Sequence, residues 1–480
     1  MEFRVNIASN KLQGFGWGLD MPATSPPTIK PLKVIVSGGG PSGLIFACTL
    51  SNYAIKYEFS INIIIYEKRI KNENGIWKWK SENEGNKRRC QIVILQNNIM
   101  ELLPQDMQEF LCKNIKARVW PNSRNLPIRE VEDQLLEFTQ NYSNIQFIPL
   151  ELNSAELEKQ VPFDCLVGAD GYHSFVKKQF DFQVTDIPQH EYALGVSIVD
   201  SNTAHHQSVN VLLTLSQTKF LFSSCDGRSG YVNIRLTKEE TEEFDKYGSD
   251  IIGNDSLPLW QTVLQALKFF NLQPDAVASV NRIDIKLQHA MSFTKQLPDQ
   301  FKNGRSNKPA LAFLIGDSAI PVHFWPGRGL NIGARAALGL ARRLFWAHRG
   351  SNRFLNPTGE IKIIDFAFFE GLMASTRLQE VQGRSLSIMN GAPVCTIKEN
   401  APDMNGKEKY KEVLIKLADF FEARKDWPHE TLPRDWVDFT INNLSPSAIS
   451  MLLESKPWPT EEMYGTPEIS IFDPCPLLTA

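Results

Sequence analysis

No stretch of the 480-residue sequence approaches the roughly 18 consecutive apolar residues of a membrane-spanning helix, so none is expected. Met1 to Asp20 contain no basic segment followed by an apolar run, the pattern of a secretory leader. The seven cysteines (Cys48, Cys90, Cys112, Cys165, Cys225, Cys395 and Cys475) never fall in a Cys-x-x-Cys pair. That scatter argues against a zinc site or a disulfide framework and suits a reducing compartment. Charge of one sign is also missing: 51 basic residues face 54 acidic ones with no dense Lys/Arg stripe, so nucleic acid is not an expected partner. There is no internal repeat, and no Ser/His/Asp or metal-ligand constellation offers a reactive centre. These absences point to a cytoplasmic protein of roughly two to four domain-sized units, with ample length for a large core.

What is present begins with Val34-Ile35-Val36-Ser37-Gly38-Gly39-Gly40-Pro41-Ser42-Gly43, an apolar run ending in glycines at the first, third and sixth places of a window. It reads as a strand, a tight turn and a helix start. Gly38 lets the chain turn off the strand, Gly40 lets backbone N–H groups approach a phosphate, and Gly43 lets the helix lie close to the sheet. A bound anion then meets the positive end of the helix dipole, beside Pro41 and Ser42. Ile61 to Glu67 supplies a second strand, followed by Lys68, and its terminal acid lies 24 residues beyond Gly43. An acid that hydrogen-bonds a ribose is expected about there. The plainer alternative is a glycine-rich loop in some other α/β protein.

Two later apolar strands also end on ligand-type residues: Val161 to Gly171 on Asp170-Gly171, and Ala310 to Asp317 on Gly316-Asp317. Gly329-Leu330-Asn331 then opens a long helix whose apolar face runs through Ala334, Ala337, Leu338, Ala341, Leu344 and Phe345. From about 185 to 300 the texture changes to strand-like runs at Tyr192–Val199, Val209–Leu215, Lys219–Ser223, Tyr231–Leu236 and Ala276–Leu287, with helical patterns at Lys238–Lys246 and Pro258–Phe270. This predicts an inserted sheet that walls a substrate pocket. The polar stretch Lys68 to Arg89, with Trp77 and Trp79, reads as an excursion, 97–140 as mostly helical, and Glu360 onward as a helical C-terminal region. The fold class is α/β: a Rossmann-like dinucleotide-binding domain with an inserted, mostly antiparallel β-sheet. Its divisions are a lead-in (1–31), the binding domain in two parts (32–184 and 301–350), the inserted sheet (185–300) and the helical region (351–480).

In this order, the Gly38 turn, the Asp170-Gly171 end and the Gly316-Asp317 end with its helix at Gly329 resemble the group A flavoprotein monooxygenases. The likeness to this para-hydroxybenzoate hydroxylase-like fold covers roughly residues 32 to 385. It implies FAD as cofactor, NAD(P)H as reductant, and O2 delivered through a C4a-hydroperoxyflavin to a hydrophobic or aromatic small molecule. Carried over by position, Gly38, Gly40 and Gly43 match the adenosine-diphosphate turn and Glu67 the ribose acid. Arg89, or its neighbour Arg88, stands where the family often places an arginine near the pyrophosphate, and Arg129 resembles another. Gly168-Ala169-Asp170-Gly171-Tyr172-His173-Ser174 matches an element implicated in FAD and nicotinamide binding. Asp317 resembles the acid that holds the ribityl chain, and Gly329, Leu330 and Asn331 the helix start at the flavin pyrimidine edge. N–H donors there stabilise negative charge on the ring.

Ser318 to Arg328 keep the family's loop length but not its early histidine and mid-loop prolines. His323-Phe324-Trp325 falls beside the expected flavin, and His323 is the candidate catalytic residue, steering a proton or orienting substrate; ordinary packing is its alternative. Phe220, Phe222, Phe324 and Trp325 are aromatic candidates for the pocket, although aromatics at strand spacing are core more often than wall. Three other activities stay open. A flavin-dependent halogenase shares the nucleotide fold, but Trp77-Lys78-Trp79-Lys80 does not continue into the Ile-Pro of its signature. An oxygen-independent flavin reductase, or a non-catalytic FAD-binding interaction protein, would keep the same motifs.

Overall fold

The computed structural model describes residues 31–385 except 87, 113–122, 200–218, 225–229, 271, 305–306, 324–328 and 350–360, together with Glu408, Lys411, Glu412, Ile415 and Asp438, which are helical. Strand β1 (Leu32–Ser37) and strand β2 (Ile61–Tyr66) flank helix α1 (Pro41–Lys56) in sequence and pair in parallel, Val34 opposite Ile63. Both strands are near-continuous apolar runs because both faces of a parallel sheet are covered. The same holds for β8 (Cys165–Gly168) and β14 (Leu311–Leu314), every residue of which is buried.

The large sheet has the order β13-β14-β8-β1-β2-β7, where β7 is Ile145–Ile148 and β13 is Thr294–Gln296. Only the β13–β14 pair is antiparallel. Helix α1 is buried almost without interruption from Gly43 to Ser51, since it lies between the sheet and the helices 128–139 and 329–349. Tyr53 and Tyr57 close its end against Phe345, with ring centroids 5.1 and 4.7 Å apart.

Between β8 and β13 the chain builds a four-stranded antiparallel sheet of order β10-β11-β9-β12. These strands are β9 (Val184–Ile198), β10 (Phe220–Ser224), β11 (Gly230–Leu236) and β12 (Val277–Ala290). One face carries its own core, in which Val196, Phe220, Phe222, Val232 and Ile234 meet Trp260 and Val263 of the helix Pro258–Phe269 and Phe270 at its end. Alternation in a strand therefore turns Leu221, Tyr231, Asn233 and Arg235 to the opposite face.

Two local expectations take a more definite form. The polar stretch after Glu67 is a hairpin of β3 (Ile70–Glu73) and β4 (Ile76–Trp79), turned at Gly75 with φ +87°. Its tryptophans pack, Trp79 under the guanidinium groups of Arg69 and Arg88 and Trp77 against Phe147. The segment 97–140 is helical at Asn97–Met100, Gln105–Cys112 and Ile128–Thr139, and departs from the expectation where β6 (Ser123–Pro127) returns to pair with β5 (Ile92–Gln96). The expected strand Val209–Leu215 and most of the helical region beyond 385 lie outside the described residues. Among the described residues no helix is long and apolar enough to cross a membrane.

Candidate active site

All five parallel strands deliver their carboxyl ends to one edge, and a cavity of about 620 Å³ follows that edge. Its lining runs in sheet order: Glu151 and Leu152 after β7, Tyr66 to Arg69 at β2, Ser37 and Gly38 at β1, Ala169 to Gly171 after β8, and Asp317 after β14. This is the crevice where open α/β sheets take ligands, and small-molecule sites span about 300–1,000 Å³. Gln91, Ile92 and Val93 from the β5 segment, Leu221 of β10, Asn233 of β11 and Val322 complete the wall.

The glycine turn is shaped by contacts no side chain would permit. Gly38 adopts φ +99°, and a Cβ there would lie 2.5 Å from the carbonyl oxygen of Ala169. A Cβ on Gly43 would run into the carbonyl oxygen of Gly38, so α1 starts pressed against its own turn. Pro41 sits in the first turn and no side chain caps the helix. The first-turn amides thus have no intrahelical acceptor and lie at the cavity with the positive dipole end. In front of Gly40 the only atom of the described residues within reach of a Cβ is Nη2 of Arg69, at 3.8 Å. A phosphate fits such a cradle.

Glu67 stands where the sequence places it, buried at the end of β2 and lining the cavity. Its Oε2 accepts from the N–H of Gly39 at 3.0 Å and from Nη2 of Arg69 at 2.9 Å, and its Oε1 from N and Nε of Arg69, both at 2.9 Å. These four bonds occupy the acceptor positions of the carboxylate, so a ribose hydroxyl would share an oxygen with Arg69. Arg69 also donates to Glu132 at 3.0 Å, and Arg89 meets the same Glu132 oxygen at 2.9 Å. Burial works to raise the pKa of Glu132, but the two guanidiniums hold it below the usual carboxylate range. Two arginines lining the cavity are thereby fixed by buried acids.

The choice between neighbouring arginines has a geometric answer. Arg89 lines the cavity, whereas Arg88 donates to the carbonyl of Arg129 and to Asp133. Arg129 does not line it and turns its guanidinium to Sγ of Cys90, 3.5 Å away. Lys68 lines the cavity with its ammonium on Glu151, 2.9 Å away.

Asp170 ties two strand ends together, its Oδ2 accepting from the hydroxyl of Ser37 at 2.7 Å and the N–H of Phe175 at 2.9 Å. Oδ1 is buried and has no partner among the described residues. Burial pushes the carboxyl pKa up, against the pull of its hydroxyl and amide donors. A sugar or ribityl hydroxyl would supply the missing donor. Asp317 is crowded by protein, which raises its pKa against the opposing pull of Arg89 and Lys177, yet its side chain opens to the cavity. Lys177 reaches from below to the carbonyl of Tyr172 and to Gln288 of β12, both at 3.0 Å, tying the Gly171-Tyr172 turn to the smaller sheet. Gly316, at φ +62°, and Gly333 are both closed by the hydroxyl of Ser42, which locks the glycine turn to the helix 329–349. Gly329 and Leu330 line the cavity, and Asn331 is buried behind them.

His323 is fully buried and is not itself a lining residue; its neighbour Val322 is. Its Nε2 lies 3.3 Å from Oε2 of Glu191 on β9, and Glu191 in turn takes a 2.7 Å bond from Arg235 on β11. Burial lowers the His323 pKa despite Glu191, so the ring is neutral near pH 7. Its backbone N–H donates to Ser385 at 3.1 Å. The histidine is therefore a joint between the loop before Gly329, the smaller sheet and the segment Leu378–Ser385. Phe220 and Phe222 are corrected from pocket to core, both fully buried on the far face of their sheet. Phe324 and Trp325 lie outside the described residues.

Four residues escape a reading by motif: Arg69 and Asn233 in the cavity wall, and Glu132 and Lys177 behind it. Glu132 carried one signal, an acid among the core positions Val131, Leu135 and Leu136 of an amphipathic helix.

No family model matches the sequence, and no curated protein matches it. Solved structures do. The tetrameric form of 2-methyl-3-hydroxypyridine-5-carboxylic acid oxygenase superposes with a TM-score of 0.50 at 13% identity, over 75% of this chain and 93% of the other. Weaker likenesses include BexE, at 0.46 and 14% over 87% and 75%, and the Diels-Alderase PyrE3, at 0.45 and 15% over 85% and 80%. On the first of these and on the sheet order above, the chain has the fold of the group A FAD-dependent monooxygenases.

Proposed function

We propose that the protein binds FAD and is a monooxygenase that uses NAD(P)H and O2 to oxidise a hydrophobic or aromatic small molecule. The observation that carries this reading is the cavity itself. It follows five strand ends, from a phosphate-type glycine turn to two acids and a helix start, in the fold just described. Residues 32–184 with 301–350 form the cofactor unit, and 185–300 the substrate unit.

The residues present fit FAD. The turn Gly38–Ser42, the amides of α1, Arg69 and Arg89 would hold the diphosphate, with Lys68 at its margin and Glu67 fixing the turn. Asp170 and Asp317 would accept from sugar and ribityl hydroxyls. The backbone of Gly329 and Leu330, backed by Asn331 and Gly316, would face the electron-rich edge of the ring, where a helix start favours negative charge. When bound, FAD supplies the electron transfer and oxygen activation. The chain's share is to orient substrate, exclude water and keep His323 neutral as a fixed hinge of the wall. Its scattered cysteines suit the cytoplasm.

Purified protein given FAD should develop a flavin spectrum and oxidise NAD(P)H under air faster when substrate is present, with a product heavier by one oxygen. A product heavier by chlorine or bromine would replace this reading with a halogenase. Protein that folds and takes up no flavin would end it.

A further inference from the structure

The smaller sheet contributes two lining residues to the cavity, Leu221 and Asn233, which face each other across the β10–β11 pair. Asn233 is 7% exposed, and its Oδ1 is buried with no hydrogen-bond partner among the described residues. A buried amide left unpaired costs free energy unless a ligand completes it. Rotating the amide exchanges its oxygen and nitrogen, so the wall offers one acceptor or one donor either way. Gly195, directly opposite Asn233 on β9, leaves room for the hydroxyl of Tyr231, which takes the place a Cβ would fill and packs the strand beside Asn233. Two pairs along, on the same face, the buried hydroxyl of Ser197 is also without a partner among the described residues.

The charges on this face are spent on one another. Arg235 and Glu191 are joined at 2.7 Å, with His323 on the acid, and none of the three lines the cavity. The cationic lining residues Lys68, Arg69 and Arg89 are each paired with an acid away from the sheet. Among the described residues a carboxylate against Leu221 and Asn233 would find no cation to replace its water, whereas an apolar body with one hydroxyl or amide N–H would satisfy both residues.

We propose that Asn233 is the polar anchor of the substrate end of the cavity, and that the substrate is a neutral, largely apolar molecule held there through a hydroxyl or amide group. The assignment rests on the flavin reading above. It is tested on FAD-loaded protein titrated with naphthol, methoxynaphthalene and naphthoate, following flavin absorption. Naphthol should bind roughly tenfold more tightly than its methyl ether, with naphthoate weakest. In N233L the preference for naphthol should collapse to within about twofold, the affinity for FAD should hold, and the thermal midpoint should not fall, because an unpaired polar group has been replaced by an apolar one of similar size. A preference that survives in N233L, tightest binding of naphthoate, or binding of none of the three would overturn the assignment. Failure of the parent protein to take up FAD would overturn the flavin reading instead; the same titration followed by tryptophan fluorescence would still decide for or against Asn233.

Discussion

At the scale of single residues, the site depends on where hydrogen-bonding capacity is used up and where it is left over. Glu132 is 1% exposed and serves two guanidiniums at once. E132A should therefore cost about 3 kcal/mol in denaturant unfolding, the low end for a buried pair because both arginines reach water. It should also weaken FAD binding by roughly tenfold, since the two arginines lose their fixed direction. E132Q, which keeps an acceptor and loses the charge, should fall between. At Gly38 the argument is steric: an alanine needs φ +99° and meets the carbonyl of Ala169. G38A should lower stability by at least about 2 kcal/mol, read from thermal melts. Such pairings are what the sequence hides. Glycines and terminal acids are visible because each acts within its own turn, but Arg69 and Glu132 are 63 residues apart and only the folded sheet brings them together.

At the scale of elements, two helical glycines make opposite predictions. Gly43 is pressed against the carbonyl of Gly38, so G43A should push α1 off its turn, cost about 1–3 kcal/mol and weaken FAD binding. Gly371, within the helix Ala367–Arg377, has nothing within 4 Å of a Cβ among the described residues. G371A should raise stability by about 0.5–1 kcal/mol, seen as a higher denaturant midpoint with unchanged flavin binding. Buried parallel strands were legible as continuous apolar runs, and so was the order of the strand ends that make the crevice. The pair β5–β6 was not, because a short strand such as Ser123–Pro127 has no alternation to separate it from helix. Period two told Phe220 and Phe222 from Leu221 but not which face was core, since both faces of this sheet are covered.

For the whole molecule, an acid crowded by protein at the cavity sets a pH dependence with a definite sign. The folded pKa of Asp317 lies above its ordinary value, so its contribution to stability is present below that ordinary value and is lost as pH rises through the folded one. Without flavin, D317N should melt higher than the parent at pH 7, and the difference should shrink toward pH 4, while FAD affinity falls. The midpoint measured across pH, with and without FAD, checks both statements. His323 acts in the other direction: its lowered pKa makes the fold lose stability as pH falls below the ordinary histidine value.

The two faces of the four-stranded sheet divide their labour, since the far face has a core of its own and the near face carries Asn233 and Leu221, the latter also packed against that core. Side chains that choose the guest are thus largely separate from those that hold the sheet to its helices. Libraries randomised at 221 and 233 should yield a larger share of folded members than libraries at 220 and 232, counted by soluble expression. In evolutionary terms the wall is free to drift toward new chemistry while the scaffold behind it stands still.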